Sequence, residues 1–204
     1  VPFMLLGILF NVCLIAANLL ETKVIQVFGI TVTAGLLVFP ISYIINDCIA
    51  EVWGFRKARL IIWSGFAMNF FVVMLGLIAV ALPAAPRIVA ASLTAFLVGS
   101  FLNAYVMSRM KVASGGRHFS ARAIWSTVVG ETADSLIFFP VAFGGIIAWP
   151  ELLVMMCIQI VLKSLYEVLI LPVTIRVVAA IKRIDGSDVY DQDISYNILK
   201  IKDI

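Results

Sequence analysis

The sequence predicts an all-α integral membrane protein, a bundle of six transmembrane helices. Three observations lead to this fold class. Of 204 residues, 63% are hydrophobic and only 13% are charged, about half the charged share of an ordinary soluble domain. The mean hydropathy is +1.10. The apolar runs reach the length of about 20 residues that one crossing of a hydrocarbon core requires, and they lack the alternation of a membrane β-barrel. Together these exclude a soluble globular domain, a disordered chain and a secreted disulfide scaffold. They also leave no room for a separate soluble catalytic domain.

The first helix is expected from Pro2 to Leu20, and the second from Thr31 to Trp53 with Pro40 near its middle. A third covers Leu60 to Leu82 and stops at a Leu-Pro-Ala-Ala-Pro turn. A fourth covers Arg87 to Met107, a fifth Ala121 to Ile147, and a sixth Glu151 to Ile181 with Pro172 inside it. Strands are not expected. Residues 1–184 read as the transmembrane domain and 185–204 as a polar C-terminal tail. That tail collects Asp185, Asp188, Asp191, Asp193 and Asp203, and it is expected to be solvated rather than a docking motif. The chain begins in an apolar stretch with no basic leader region, so no cleaved signal peptide is expected, and a short preceding segment is.

Orientation follows from the lysines and arginines. Arg56, Lys57 and Arg59 follow the second helix; Arg109, Lys111, Arg117 and Arg122 follow the fourth; Lys182, Arg183, Lys200 and Lys202 follow the sixth. The other side has only Lys23 and Arg87. Both termini are therefore expected to be cytoplasmic. Bases scattered between apolar runs do not make a nucleic-acid-binding face. Cys13, Cys48 and Cys157 lie in apolar segments without metal-ligand spacing and read as packing residues. No cofactor is expected. Trp53, Trp63, Trp125 and Trp149 sit at or near the interfaces, as an aromatic belt does.

The polar residues inside the apolar runs carry the functional argument, because a charge at the bilayer centre costs at least about 2.5–3.5 kcal/mol. Tyr43, Asp47 and Glu51 are four apart and share a helix face, with Asn46 beside them. Thr127, Glu131, Asp134 and Ser135 form a second stripe, and Gln159, Lys163 and Glu167 a third. Asn11 and Asn18 add amides on the first helix, with Glu21 at its outer end, and Asn69 and Asn103 follow on later helices. At 1.5 Å per residue, Glu131 lies about 15 Å and Lys163 about 18 Å along oppositely running helices, so both fall near the midplane. Lys163 can offset only one of Glu131, Asp134 and Glu167. A buried ion-pair network that merely fixes packing is the plainer alternative, and single amides such as Asn69 and Asn103 suit interhelical glue. The lone His118 lies outside the spans. No HExxH, phosphate-binding loop or Cys-x-x-Cys occurs, which argues against an enzyme and against ATP hydrolysis by this chain.

Three stretches carry a family resemblance: Ala17-Asn18-Leu19-Leu20-Glu21-Thr22-Lys23; Pro40-Ile41-Ser42-Tyr43-Ile44-Ile45-Asn46-Asp47 with Glu51-Val52-Trp53-Gly54; and Gly130-Glu131-Thr132-Ala133-Asp134-Ser135. The chain resembles the queuosine-precursor transporter family, also called the vitamin uptake transporter family. The resemblance implies a fold like that of the substrate-binding components of energy-coupling-factor importers. It also implies import of 7-cyano- or 7-aminomethyl-7-deazaguanine across a bacterial inner membrane, without an obligatory ATPase partner. Membrane lipid and the base are then the partners, and a homodimer is left open. In chemical terms, Glu131 or Asp134 would read the guanine-like edge, since a carboxylate accepts from adjacent N–H groups. Asp47 and Asn46 would supply a second polar patch with Asn18 near it, and Tyr43 an aromatic face. Lys163 and Glu167 would set the local charge or carry a proton during transport, and Gln159 on the same stripe is a further candidate for binding the base. Two competing readings are an ATPase-coupled binding subunit and a lipid-modifying enzyme with Glu131 and Asp134 as acid and base.

Overall fold

The computed structural model describes residues 1–21, 23–27, 30–80 and 86–200. Its order is α1 (Pro2–Glu21), β1 (Val24–Val27), β2 (Ile30–Thr33), a short 3-10 turn (Ala34–Leu37), α2 (Phe39–Val80), α3 (Pro86–Ala113), α4 (Phe119–Phe143) and α5 (Trp149–Asp185). Four of these helices are long and apolar enough to cross a membrane: α1, α2, α3 and α5. Its stripe of buried polar residues lowers the hydropathy of α4.

Two expectations change. Residues 31–38 are not α-helical: β1 and β2 pair antiparallel, with Ile25 opposite Val32 and Gln26 opposite Thr31, and the 3-10 turn follows. Runs such as Val-Ile-Gln-Val and Ile-Thr-Val-Thr are β-branched and suit a pleated ladder. Pro40 consequently stands in the first turn of α2, where its missing N–H is one the helix would leave unbonded anyway. Secondly, the expected second and third helices form one assigned helix, Phe39–Val80, interrupted at Gly54 with φ 79° and ψ 176°. That conformation is essentially restricted to glycine. The expected turn at 82–86 falls on residues 81–85, outside those described, apart from Pro86, which opens α3.

The two arms of α2 run along α1 in opposite senses. At one end Gly35 approaches Glu21, and at the other Phe3 stacks edge-on to Trp53 at 5.3 Å. Beyond Gly54 the chain returns, with Ile61 against Gly7 and Gly65 against Phe10 and Leu14. The first arm is the centre of the bundle: from Phe39 to Phe55 every residue but Ile41 is buried. A helix buried all round needs neighbours on every side, and α1, α3, α4 and α5 supply them. Antiparallel α3 and α4 make the most extensive contact. They close to backbone distance at Gly99 and Gly130, where a Cβ on either would lie 2.9–3.0 Å from the other's carbonyl oxygen.

The C-terminal segment is mostly exposed, but it is also hydrogen-bonded to the bundle rather than only solvated. The break at Gly54 leaves N–H groups at the start of the second arm without helical partners. Asp191, 7% exposed, takes the Phe55 N–H at 2.7 Å and the Ser108 hydroxyl at 2.5 Å. The Val189 N–H donates to Val52 O, Arg59 to Asn197 O at 2.8 Å, and the Trp63 indole to Ile198 O. The tail is thus bound to the break it covers.

Candidate functional site

Polar residues converge at two levels of the bundle. At the basic end, Glu51 is 1% exposed. It accepts a forked pair from Arg122 (2.5 and 3.1 Å) and a bond from Lys182 at 2.7 Å. Lys111 bonds the Glu51 carbonyl and reaches Asp188 at 2.5 Å. Burial pushes the Asp188 carboxyl up, but hydrogen bonds from Lys111 and Lys182 outweigh this and hold it below the usual aspartate range. This knot ties α2, α3, α4, α5 and the tail together, and its three cations more than offset its two carboxylates.

Deeper in the bundle the balance reverses. Lys163 on α5 pairs with Glu131 at 2.8 Å and stands 3.7 Å from Asp134, both on α4. Its ammonium also lies 4.0 Å from the centre of the Phe39 ring, a cation–π contact. Glu131 and Asp134 are three apart, so one helix face presents both to the same lysine. Asp47 accepts the Ser126 hydroxyl with both oxygens, at 3.0 and 3.1 Å. Asn46 donates to Asn103 Oδ1 at 2.7 Å and to Ser100 O at 3.1 Å. Tyr43 is wedged over Gly99 and Gly130, and its ring is 5.5 Å from that of Phe39. Gln159 donates to Thr33 on β2, which in turn donates to Glu21, both at 2.9 Å.

Many polar atoms here lack a hydrogen-bond partner in the protein. They include the Tyr43 hydroxyl, Asn46 Oδ1, Asn103 Nδ2, Thr127 Oγ1, Glu131 Oε1, Ser135 Oγ, Gln159 Oε1 and both oxygens of Glu167. Protein interiors leave few such groups, since each costs about 1–3 kcal/mol. On α2, α3, α4 and α5, they are donors and acceptors of the bundle interior that the protein itself leaves unused.

Most of the residues singled out from the sequence come together here: Tyr43, Asn46, Asp47, Glu131, Asp134, Gln159, Lys163 and Glu167. Asn18 does not join the Lys163 cluster. Its amide bonds Leu14 O and its carbonyl accepts from Ser92 on α3. Ser126, Phe39 and Thr33 belong to the site and were not anticipated. Each depends on the register between elements, for which one helix's own spacing gives no signal. Glu21, placed at the outer end of its helix, turns inward to Thr33. Among the described residues no group of histidine, cysteine, aspartate and glutamate is placed to hold a metal ion.

A multi-pass helical membrane protein with a charged, under-bonded interior has the build of a membrane transport protein. The chain belongs to the vitamin uptake transporter family: the family model described as "Putative vitamin uptake transporter" matches residues 33–177. That segment contains α2 to α4 and most of α5, and so nearly the whole inner site. The chain is also 31% identical over 155 residues to a Bacillus subtilis (strain 168) protein named "Probable queuosine precursor transporter". The match covers 65% of this chain and 65% of that relative's length. Family and relative are named for transport, not for catalysis. No solved structure matches the chain.

Proposed function

We propose that this protein imports queuosine precursors, 7-cyano- or 7-aminomethyl-7-deazaguanine, across a bacterial inner membrane with both termini in the cytoplasm. The observation that carries this reading is the pair Glu131 and Asp134. Both are buried, both are held toward Lys163, and one oxygen of Glu131 is left without a hydrogen bond. A carboxylate so placed can accept the ring N–H and exocyclic amine of a guanine-like edge together. Asn46 Oδ1 and Asn103 Nδ2 offer an acceptor and a donor to other polar atoms of the base. Phe39 and Tyr43 offer ring faces. The relative's name supports the substrate class. Counting the arms of α2 separately, and α4 with them, the chain crosses the bilayer six times, in the plan of the energy-coupling-factor binding components. Uptake proceeds without an ATPase partner.

The test is salvage in a bacterium that can neither make nor import queuosine precursors. Each base is fed at low concentration, and queuosine is measured in the tRNA. Cells expressing this chain are expected to exceed the empty-vector control. No queuosine, with the folded protein shown to be in the membrane, would overturn import by this chain alone.

A further inference from the structure

The inner site holds more negative charge than the protein balances. Glu21, Asp47, Glu131, Asp134 and Glu167 approach it from α1, α2, α4 and α5. Among the described residues Lys163 is the one cation with an ion pair to any of them. Glu131 and Asp134 share that lysine, while Asp47 and Glu21 each accept a hydroxyl, from Ser126 and Thr33. Glu167 is different. It is 1% exposed, neither oxygen has a hydrogen-bond partner, and it makes no ion pair. It stands one turn beyond Lys163 on the same buried face of α5. The unpartnered atoms of Tyr43, Asn103, Thr127 and Ser135 lie on side chains that are themselves almost fully buried. Acidic residues and neutral hydrogen-bonding groups therefore point to one ligand that is both polar and positively charged.

We propose that the ligand brings its own ammonium group and that Glu167 receives it, so that the site prefers the aminomethyl base over the neutral cyano base. This rests on the reading above that the site takes a 7-deazaguanine. With Lys163 anchoring Glu131 and Asp134 at the guanine-like edge, Glu167 is displaced by about 6 Å of helix rise, comparable with the width of a fused bicyclic ring. An ammonium supplies three donors and a full charge to a carboxylate that has neither.

Isothermal titration of the purified full chain in lipid nanodiscs at neutral pH tests this, using 7-aminomethyl- and 7-cyano-7-deazaguanine on the wild type and Glu167→Gln. The wild type is expected to bind the aminomethyl base at least about tenfold more tightly, as a desolvated charge pair allows. In E167Q that preference should collapse, with the aminomethyl base losing far more affinity than the cyano base. Should E167Q be unstable, Glu167→Asp keeps the charge but withdraws it, and it should weaken the aminomethyl base selectively. Equal or tighter cyano binding by the wild type, or equal loss of both bases in the variants, would overturn the charge preference and leave the substrate class standing. Binding of neither base by the folded wild type would overturn the substrate class, and the preference with it.

Discussion

Lys163 holds Glu131 at 2.8 Å with both side chains almost fully buried, so its role is as much to permit these carboxylates as to bind them. Removing one partner of a buried pair leaves an uncompensated charge, which typically costs about 3–5 kcal/mol. Lys163→Met should therefore lower the melting temperature in detergent sharply, and adding Glu131→Gln should recover much of the loss without restoring transport. An unchanged melting temperature in K163M would show that the pair carries no such burden. Gly130 is constrained by space alone. A Cβ there would lie 2.6 Å from Tyr43 Cε1 and 2.9 Å from both Asn103 Cβ and Gly99 O. Because neither backbone nor a buried ring can yield cheaply, Gly130→Ala should destabilise by about 1–3 kcal/mol. It should also weaken base binding by displacing Tyr43, both effects read from melting curves with and without ligand.

At the scale of elements, the break in α2 and the docked tail explain each other. Gly54 frees the Phe55 N–H, and Asp191 satisfies it from more than a hundred residues away in sequence. Loss of that acceptor strands a buried donor, worth about 1–3 kcal/mol. Asp191→Ala should thus release the tail and speed trypsin cleavage after Lys200, with unaltered cleavage the contrary result. Asp188 adds a pH-dependent part. Its carboxyl is held below the usual range by Lys111 and Lys182, so its contribution is complete above the ordinary aspartate value of about 3.9 and fades as pH falls through the lowered one. The polar stripes of α2, α4 and α5 were legible in the sequence because three- and four-residue spacing fixes a helix face. The strand pair Val24–Val27 and Ile30–Thr33 was not, since its apolar β-branched residues merge into the flanking helical runs. The docking of the tail was not either: Asp191 looks solvated until the break it caps is in view.

At the scale of the whole molecule, Lys57, Lys111, Arg122 and Lys182, assigned from sequence to one side, gather at one end. Glu51, Arg122, Lys111, Lys182 and Asp188 meet there, and Lys57 lies over Phe3 near the N-terminus. The opposite end has Arg87, which bonds the Val141 and Gly144 carbonyls at the end of α4. Under the proposed orientation this basic end is the cytoplasmic one, as the positive-inside rule expects. A Ser187→Cys variant should resist a membrane-impermeant thiol reagent in intact cells and react in inverted vesicles; labelling in intact cells would reverse the orientation. Between the two ends lies the under-bonded interior on which the functional reading depends. A ligand that binds the folded state at a hundred times its Kd stabilises it by about 2.7 kcal/mol, which a melting curve resolves. The most direct measurement is therefore the thermal shift produced by a 7-deazaguanine base in the wild type, in Glu131→Gln and Asp134→Asn, and in Asn18→Ala outside the Lys163 cluster. The shift should appear in the wild type and N18A and vanish in E131Q and D134N. A shift that survives in both carboxylate variants would place the ligand elsewhere in the protein.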